Sequence, residues 1–175
     1  PRSSVSHLHA TAGQYIYTFD LRKEGVLDKD PIHSINACGG DQYDVEVDCL
    51  GIHSSGETIL AGDSNGLISV INPNNYETIM QLSGVHSSVV TSVSLSTDGS
   101  SLVSGALDCS LCRWDMESGQ PAANPISFND LERLRGGSEE LGQMLNPPFV
   151  HAASFACEDA CILCVNGDGS VNLFD

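Results

Sequence analysis

Positive charge is what this 175-residue sequence has least of. Lys and Arg together number 7 against 23 Asp and Glu, for a formal net charge of −16. Lys23 and Lys29 are the only lysines, and from Pro31 onward only Arg113, Arg133 and Arg135 are cationic, against nineteen acidic residues. A phosphate backbone is repelled by such a field, so no direct nucleic-acid partner is expected. A basic partner is attracted by it, and solubility is the plainer consequence. No apolar run approaches the roughly 18 residues that a membrane-spanning helix needs, so no membrane partner is expected. No apolar stretch follows Pro1-Arg-Ser-Ser4, and no initiator Met precedes it; the sequence reads as a fragment without a secretory leader. Phosphate-cradling glycine motifs are missing too. The cysteines number 7, an odd count without a secretory signal, which implies reduced thiols and a cytoplasmic or nuclear protein. Hydrophobic content of 41% excludes a disordered chain.

What the sequence does contain is repetition. Four segments end alike: Tyr15-Ile-Tyr-Thr-Phe-Asp20, Leu67-Ile-Ser-Val-Ile-Asn72, Ser110-Leu-Cys-Arg-Trp-Asp115 and Ser170-Val-Asn-Leu-Phe-Asp175. Anchored on Phe19, Ile71, Trp114 and Phe174, they align in columns. Ten residues before the anchor stand His9, Ala61, Ser104 and Cys164; six before it, Gly13, Asn65, Asp108 and Asp168; three before it, Ile16, Ile68, Leu111 and Val171. Each unit reads as short strands joined by tight turns, with Asn65-Gly66 a hairpin signal. Three or four strands recurring at roughly 43 residues is the pattern of a propeller blade. The fold class is therefore all-β: a partial propeller of about three full blades and one partial blade, in antiparallel four-stranded sheets. The expected units are a partial blade over 1–22, blades over 45–75, 86–120 and 149–175, and an acidic insert over 129–145. Any helix is expected within that insert, which otherwise reads as a polar loop with partner contact as its alternative.

Gly84-Val-His86, Leu102-Val-Ser-Gly-Ala-Leu-Asp108 and Arg113-Trp-Asp115 together resemble a WD40 repeat. The resemblance extends over nearly the whole chain. It implies a hydrogen-bonded chain of His86, Ser104, Asp108 and Trp114 within one blade, in which loss of Trp114 orphans Asp108. Only this unit keeps the full set; the units ending at Ile71 and Phe174 must depend on apolar packing. The resemblance also implies that blades are needed beyond those present, since a closed seven-bladed ring takes on the order of 300 residues at this period.

Other chemistries fit less well. Cys109-x-x-Cys112 and Cys161-x-x-Cys164 have zinc spacing, but on strands positions three apart face opposite ways, so buried free thiols are expected and no metal or other cofactor. Gly62–Gly66 and Asn166–Gly169 lack the downstream Glu of a calcium loop and read as turns. His86, Ser104 and Asp108 mimic a hydrolase triad, but they fall in the structural columns, so no enzyme is expected. Arg113 shares its column with Thr18, Val70 and Leu173; a charge there must be paired, most simply with a carboxylate, or reach the surface.

These readings converge on a non-enzymatic protein–protein interaction scaffold. The family resemblance adds a possible substrate receptor of a cullin–RING ubiquitin ligase, docked to its adaptor through Asp20 and Arg22, the residues here that approach the Trp-Asp-x-Arg ending of such receptors. Basic peptides such as histone tails are the alternative partner. A hydrolase with an unrecognised site is the alternative of a different class.

Overall fold

In the computed structural model, which describes residues 7–22, 30–39, 44–130 and 147–175, the strands form four successive antiparallel sheets. The first contains β1 (His7–Ala12), β2 (Tyr15–Asp20) and β3 (His33–Asn36). The second contains β4 (Val47–Ile52), β5 (Ile59–Asp63), β6 (Ile68–Asn72) and β7 (Glu77–Leu82). The third contains β8 (Val90–Leu95), β9 (Ser101–Ala106), β10 (Ser110–Asp115) and β11 (Gln120–Pro121), with β12 (Ile126–Ser127) also paired to β10. The fourth contains β13 (Val150–Ala156), β14 (Cys161–Asn166) and β15 (Val171–Phe174). Every pairing joins neighbours in sequence, apart from β12, whose separation from β11 is a short Pro-containing break at Ala122–Pro125.

The outermost strands extend the units beyond their expected ends. β3 lies past residue 22 and β7 past residue 75, and both carry mostly exposed or half-buried side chains. An edge strand with little buried on either side has no alternating pattern to betray it. Two sheets reach the four-stranded order; the first and last have three strands each. Phe128–Asp130 form a helical turn at the start of the expected insert, and residues 131–145 of that insert lie outside the described residues. Among the described residues no helix is long and apolar enough to cross a membrane.

The buried clusters lie between sheets. One combines Ile16 of the first sheet with Val47, Ile59 and Ile71 of the second. Another combines Leu60, Ile68 and Val70 of the second with Val90, Leu102 and Trp114 of the third. The last combines Val103 and Leu111 of the third with Val150, Ala153 and Cys164 of the fourth. Each interior sheet thus turns one face to the preceding sheet and one to the following sheet. The strand pattern follows: β5 and β9 are buried along their whole length because both faces are covered.

Register shows which side chain goes to which face, and it corrects one column. Ile59 pairs with Ile71, Leu102 with Trp114 and Ile162 with Phe174, the same offset each time. In the first sheet Leu8, not His7, pairs with Phe19, because β1 and β2 are joined by a shorter hairpin in which Ala12 faces Tyr15. That one-residue slip turns every β1 side chain to the other face. His9 therefore does not stand where Ser104 stands; it pairs with Thr18 and hydrogen-bonds its hydroxyl at 2.9 Å.

Blade contact depends on glycine at one recurring place. A Cβ on Gly62 would lie 2.6 Å from Val90 Cγ1, and one on Gly105 would lie 2.1 Å from Val150 Cγ1. The two valines open the first strands of the following sheets. Polar bonds reinforce the second of these junctions: Ser92 Oγ accepts from Ala153 N at 2.9 Å and donates to Ala153 O at 3.0 Å, and the Thr91 hydroxyl donates to Val150 O. Among the described residues nothing covers the fourth sheet's outward face in this way. Leu163, Val165, Val171 and Leu173 correspond there to the buried Leu60, Gly62, Ile68 and Val70, yet Val171 and Leu173 are 63% and 61% exposed.

Gly105→Ala should destabilise the chain by about 1–3 kcal/mol through overpacking against Val150. Chemical denaturation of Gly105→Ala, Val150→Ala and the double variant measures it. A double variant no better than the sum of the single losses would refute the contact.

Candidate functional site

The polar residues singled out in the sequence meet at the junction of the second and third sheets. Trp114, on β10, is 1% exposed and donates its indole Nε1–H to Ser104 Oγ at 2.8 Å. Ser104, on the neighbouring β9, lies 2.7 Å from His86 Nε2. His86 Nδ1 lies 2.9 Å from Ser110 Oγ and 3.4 Å from an Asp108 carboxylate oxygen. The proton arrangement that satisfies every group runs one way. Trp114 donates to Ser104, Ser104 donates to Nε2 of His86, and Nδ1–H points to Ser110 and Asp108. Among the described residues no buried side-chain N or O lacks a partner.

Asp108 forms the outer end of this network. It accepts from Ser87 N at 2.8 Å, from Ser110 N at 3.0 Å and from the Ser110 hydroxyl. Burial pushes its carboxyl pKa up, but the bonds from His86, Ser110 and Ser87 outweigh it and hold the group well below the usual carboxylate range. Trp114 does not touch Asp108, so losing the indole leaves Ser104, not Asp108, without its donor. Loss of so large a buried ring costs about 3–5 kcal/mol. Ser110 and the Ser87 amide were not anticipated. The usable signal for Ser110 was the Asp-x-Ser spacing, since Ser170 N likewise bonds Asp168 Oδ1 at 2.8 Å.

His86 also explains a glycine. Gly66, in the β5–β6 turn, has φ +88, and a Cβ there would lie 2.4 Å from the His86 carbonyl oxygen. Asp63 closes that turn by accepting from Asn65 N and Leu67 N, both at 2.9 Å. The segment Gly62–Gly66 is thus a turn braced by its own carboxylate. Asn166–Gly169 is a turn as well, with Gly169 N bonded to Asn166 O at 3.1 Å.

The triad resemblance does not survive the geometry. Ser104 is 0% exposed and its oxygen accepts from Trp114. No substrate atom reaches it. Cys109, Cys112, Cys161 and Cys164 are all buried, and none of them is in a disulfide. Burial pushes the Cys112 thiol up to about 12 and that of Cys164 to about 11, so both stay protonated near neutral pH. Among the described residues no three His, Cys, Asp or Glu side chains cluster as metal ligands. Arg113 reaches the surface and donates to Ser101 Oγ at 3.2 Å, where a carboxylate partner was expected.

Asp20 and Arg22 lie apart from the network, on the turn after β2. Arg22 donates from Nε to Asp20 Oδ1 at 2.9 Å and from Nη2 to Oδ2 at 2.8 Å, and its backbone N reaches Oδ1 at 3.0 Å. The pair braces its own turn. The Arg22 side chain is still 67% exposed, and its bonds hold the Asp20 carboxyl well below its ordinary range.

Four sheets packed face to face, each a sequential antiparallel meander, define a segment of a β-propeller. One of its repeats matches the WD40 type. The family model "WD domain, G-beta repeat" matches residues 77–115, which hold β7 to β10 and all of His86, Ser104, Asp108, Ser110 and Trp114. The chain is 22% identical over 176 residues to the WD repeat-containing protein 53 homolog of Dictyostelium discoideum, covering 94% of the chain and 46% of that protein. It is 32% identical over 96 residues to the echinoderm microtubule-associated protein-like elp-1 of Caenorhabditis elegans, covering 52% of the chain and 10% of that protein. Among solved structures, the RRP9 WD40 repeats superpose with a TM-score of 0.70 at 18% identity, over 96% of this chain and 44% of theirs. The Cps50 (Swd1) propeller of Myceliophteria thermophila gives 0.57 at 17% identity, over 73% and 34%. The chain thus spans less than half the length of each of these proteins.

The depressed Asp108 carboxyl sets an acid dependence with a definite sign. Its folded pKa lies below the unfolded value of about 3.9. Its stabilisation is therefore complete above about pH 4 and is lost as pH falls further toward the folded value. Asp108→Asn should be less stable at neutral pH, and its stability should fall less steeply between about pH 4 and pH 2. Urea midpoints across that range measure this; parallel acid limbs for the two proteins would refute it.

Proposed function

We propose that this chain is part of a non-enzymatic scaffold that binds basic segments of protein partners. The observation that carries this is electrostatic. Among the described residues the only Lys or Arg side chains are Arg22 and Arg113, on a frame that presents carboxylates at exposed turns, Glu57, Asp98 and Glu117 among them. The interblade cores hold those turns in fixed relative positions, and WD40 propellers in general bind proteins through such loops. The seven free cysteines support a reducing compartment, cytoplasm or nucleus. The sealed Ser104 argues against the hydrolase alternative at the residues that first suggested it. A histone-tail-like basic peptide titrated against the full chain should bind at low salt and weaken steeply as salt rises. An acidic peptide of equal length should not bind. Equal binding of the two sinks the reading.

The finer possibility is a ligase substrate receptor. It is supported by the exposure of Arg22 and by the way Asp20 fixes the guanidinium in one orientation. Arg22→Ala in the full-length protein should abolish co-purification with the ligase adaptor and leave the melting temperature nearly unchanged, because an exposed pair contributes little to stability. Persistent co-purification, or binding and folding failing together, removes the docking role.

A further inference from the structure

A groove of about 470 Å³ opens between the second and third sheets, on the side where the β4–β5 and β8–β9 turns project. Its apolar wall is built from Ile79, Met80, Leu95 and Met116. Met80 and Met116 are two of the chain's three methionines, and both are only half-buried. Ile79 is 59% exposed, an unusual cost for a branched side chain on a strand. Methionine is flexible and polarizable, so such a surface adapts to the side chain laid on it.

The rim is anionic. Glu57 and Asp98 line the groove and no Lys or Arg does. Asp98 is held in place by Ser96 Oγ at 2.7 Å, Ser100 N at 2.9 Å and Ser100 Oγ at 2.8 Å. Those bonds, the one from Ser96 foremost, bring its carboxyl down to about 2, so it stays charged in mild acid. His53 fixes the spacing of the two turns. Its Nδ1 lies 2.8 Å from Ser55 Oγ in one turn, and its Nε2 lies 3.0 Å from the Ser96 carbonyl of the other.

We propose that this groove seats a peptide segment of a partner protein in which a bulky apolar side chain is flanked by lysine or arginine. The inference rests on the proposed scaffold reading and gives it a place. The apolar side chain covers Ile79 and the two methionines, and the flanking cations lie against Glu57 and Asp98. Charge complementarity selects this occupant: an uncharged apolar segment would leave the carboxylates facing it without a counter-charge, and an acidic one would be repelled.

The test uses a fluorescein-labelled peptide with an Arg-Leu-Arg centre, followed by anisotropy with the full chain. Replacing its Leu by Ala should weaken binding about tenfold, and replacing both Arg by Glu should abolish it. Ile79→Ser and Glu57→Lys, both at exposed positions, should each weaken the parent peptide about tenfold with unchanged melting curves, while Arg22→Ala should have no effect. Salt-sensitive binding that is untouched by Ile79→Ser and Glu57→Lys overturns the groove and leaves the scaffold reading standing. No binding of any basic peptide overturns both. Self-association that Ile79→Ser removes, without peptide binding, assigns the groove to a second copy and overturns the proposal.

Discussion

No sheet of this molecule can bury its own faces; each depends on its neighbour to do it. A three- or four-stranded antiparallel sheet has two faces, and here the interior sheets are apolar on both. The result is a set of cores set between sheets in sequence, Ile16 against Ile71, Leu60 against Trp114, Leu111 against Val150. Stability is then mostly a sum over junctions between adjacent units. The same dependence makes the frame rigid, because neither interior sheet can tilt without opening two cores at once. Turns projecting from such a frame keep their spacing, and His53 and Ser96 extend that fixity across one junction by a direct bond.

The network of His86, Ser104, Ser110, Asp108 and Trp114 is placed where this dependence is most demanding. It inserts polar groups into a junction that is otherwise apolar, which is tolerable only because every group has a partner. Once complete, it specifies one arrangement: the indole must meet Ser104, and the ring of His86 must meet both ends. The junctions on either side achieve closure with Ile71 and Phe174 in the place of Trp114, and with no matching set of donors and acceptors. The blade of Trp114 carries an indole-to-carboxylate chain of side-chain bonds, and its neighbours make separate, shorter ones, such as Ser69 to the Ala37 carbonyl and Ser92 to Ala153.

What could be read in the sequence follows from the same physics. The central strands were legible because two covered faces leave continuous apolar runs, as in Ile59–Asp63 and Ser101–Ala106. The network residues were legible through the resemblance to a WD40 repeat, which implies His86, Ser104, Asp108 and Trp114 as a set. The outer strands β3 and β7 were not, since an edge with little burial imposes no pattern. Nor was the slip in β1: a hairpin shortened by one residue leaves the apolar residues in place but exchanges the faces, which pairing alone reveals. Asp20 and Arg22 were found by motif, and their geometry adds that each is already the other's partner. The groove between the second and third sheets was invisible, because Ile79 and Met80, Leu95, and Met116 belong to three different segments that adjoin only after the sheets pack.

The residue at the recurring notch determines which strand can pack against it. Gly62 and Gly105 leave room for the valine that opens the next sheet; Val165 stands at the corresponding place in the fourth sheet and is 38% exposed. A valine at this place fills the space that Gly62 and Gly105 leave for the valine of the next sheet. The second and third units, by contrast, present the same notch and offer the same valine. Their faces follow one plan, and the fourth departs from it. Which strand can pack on a blade at this place is decided less by the conspicuous tryptophan than by a side chain that two of the units do without.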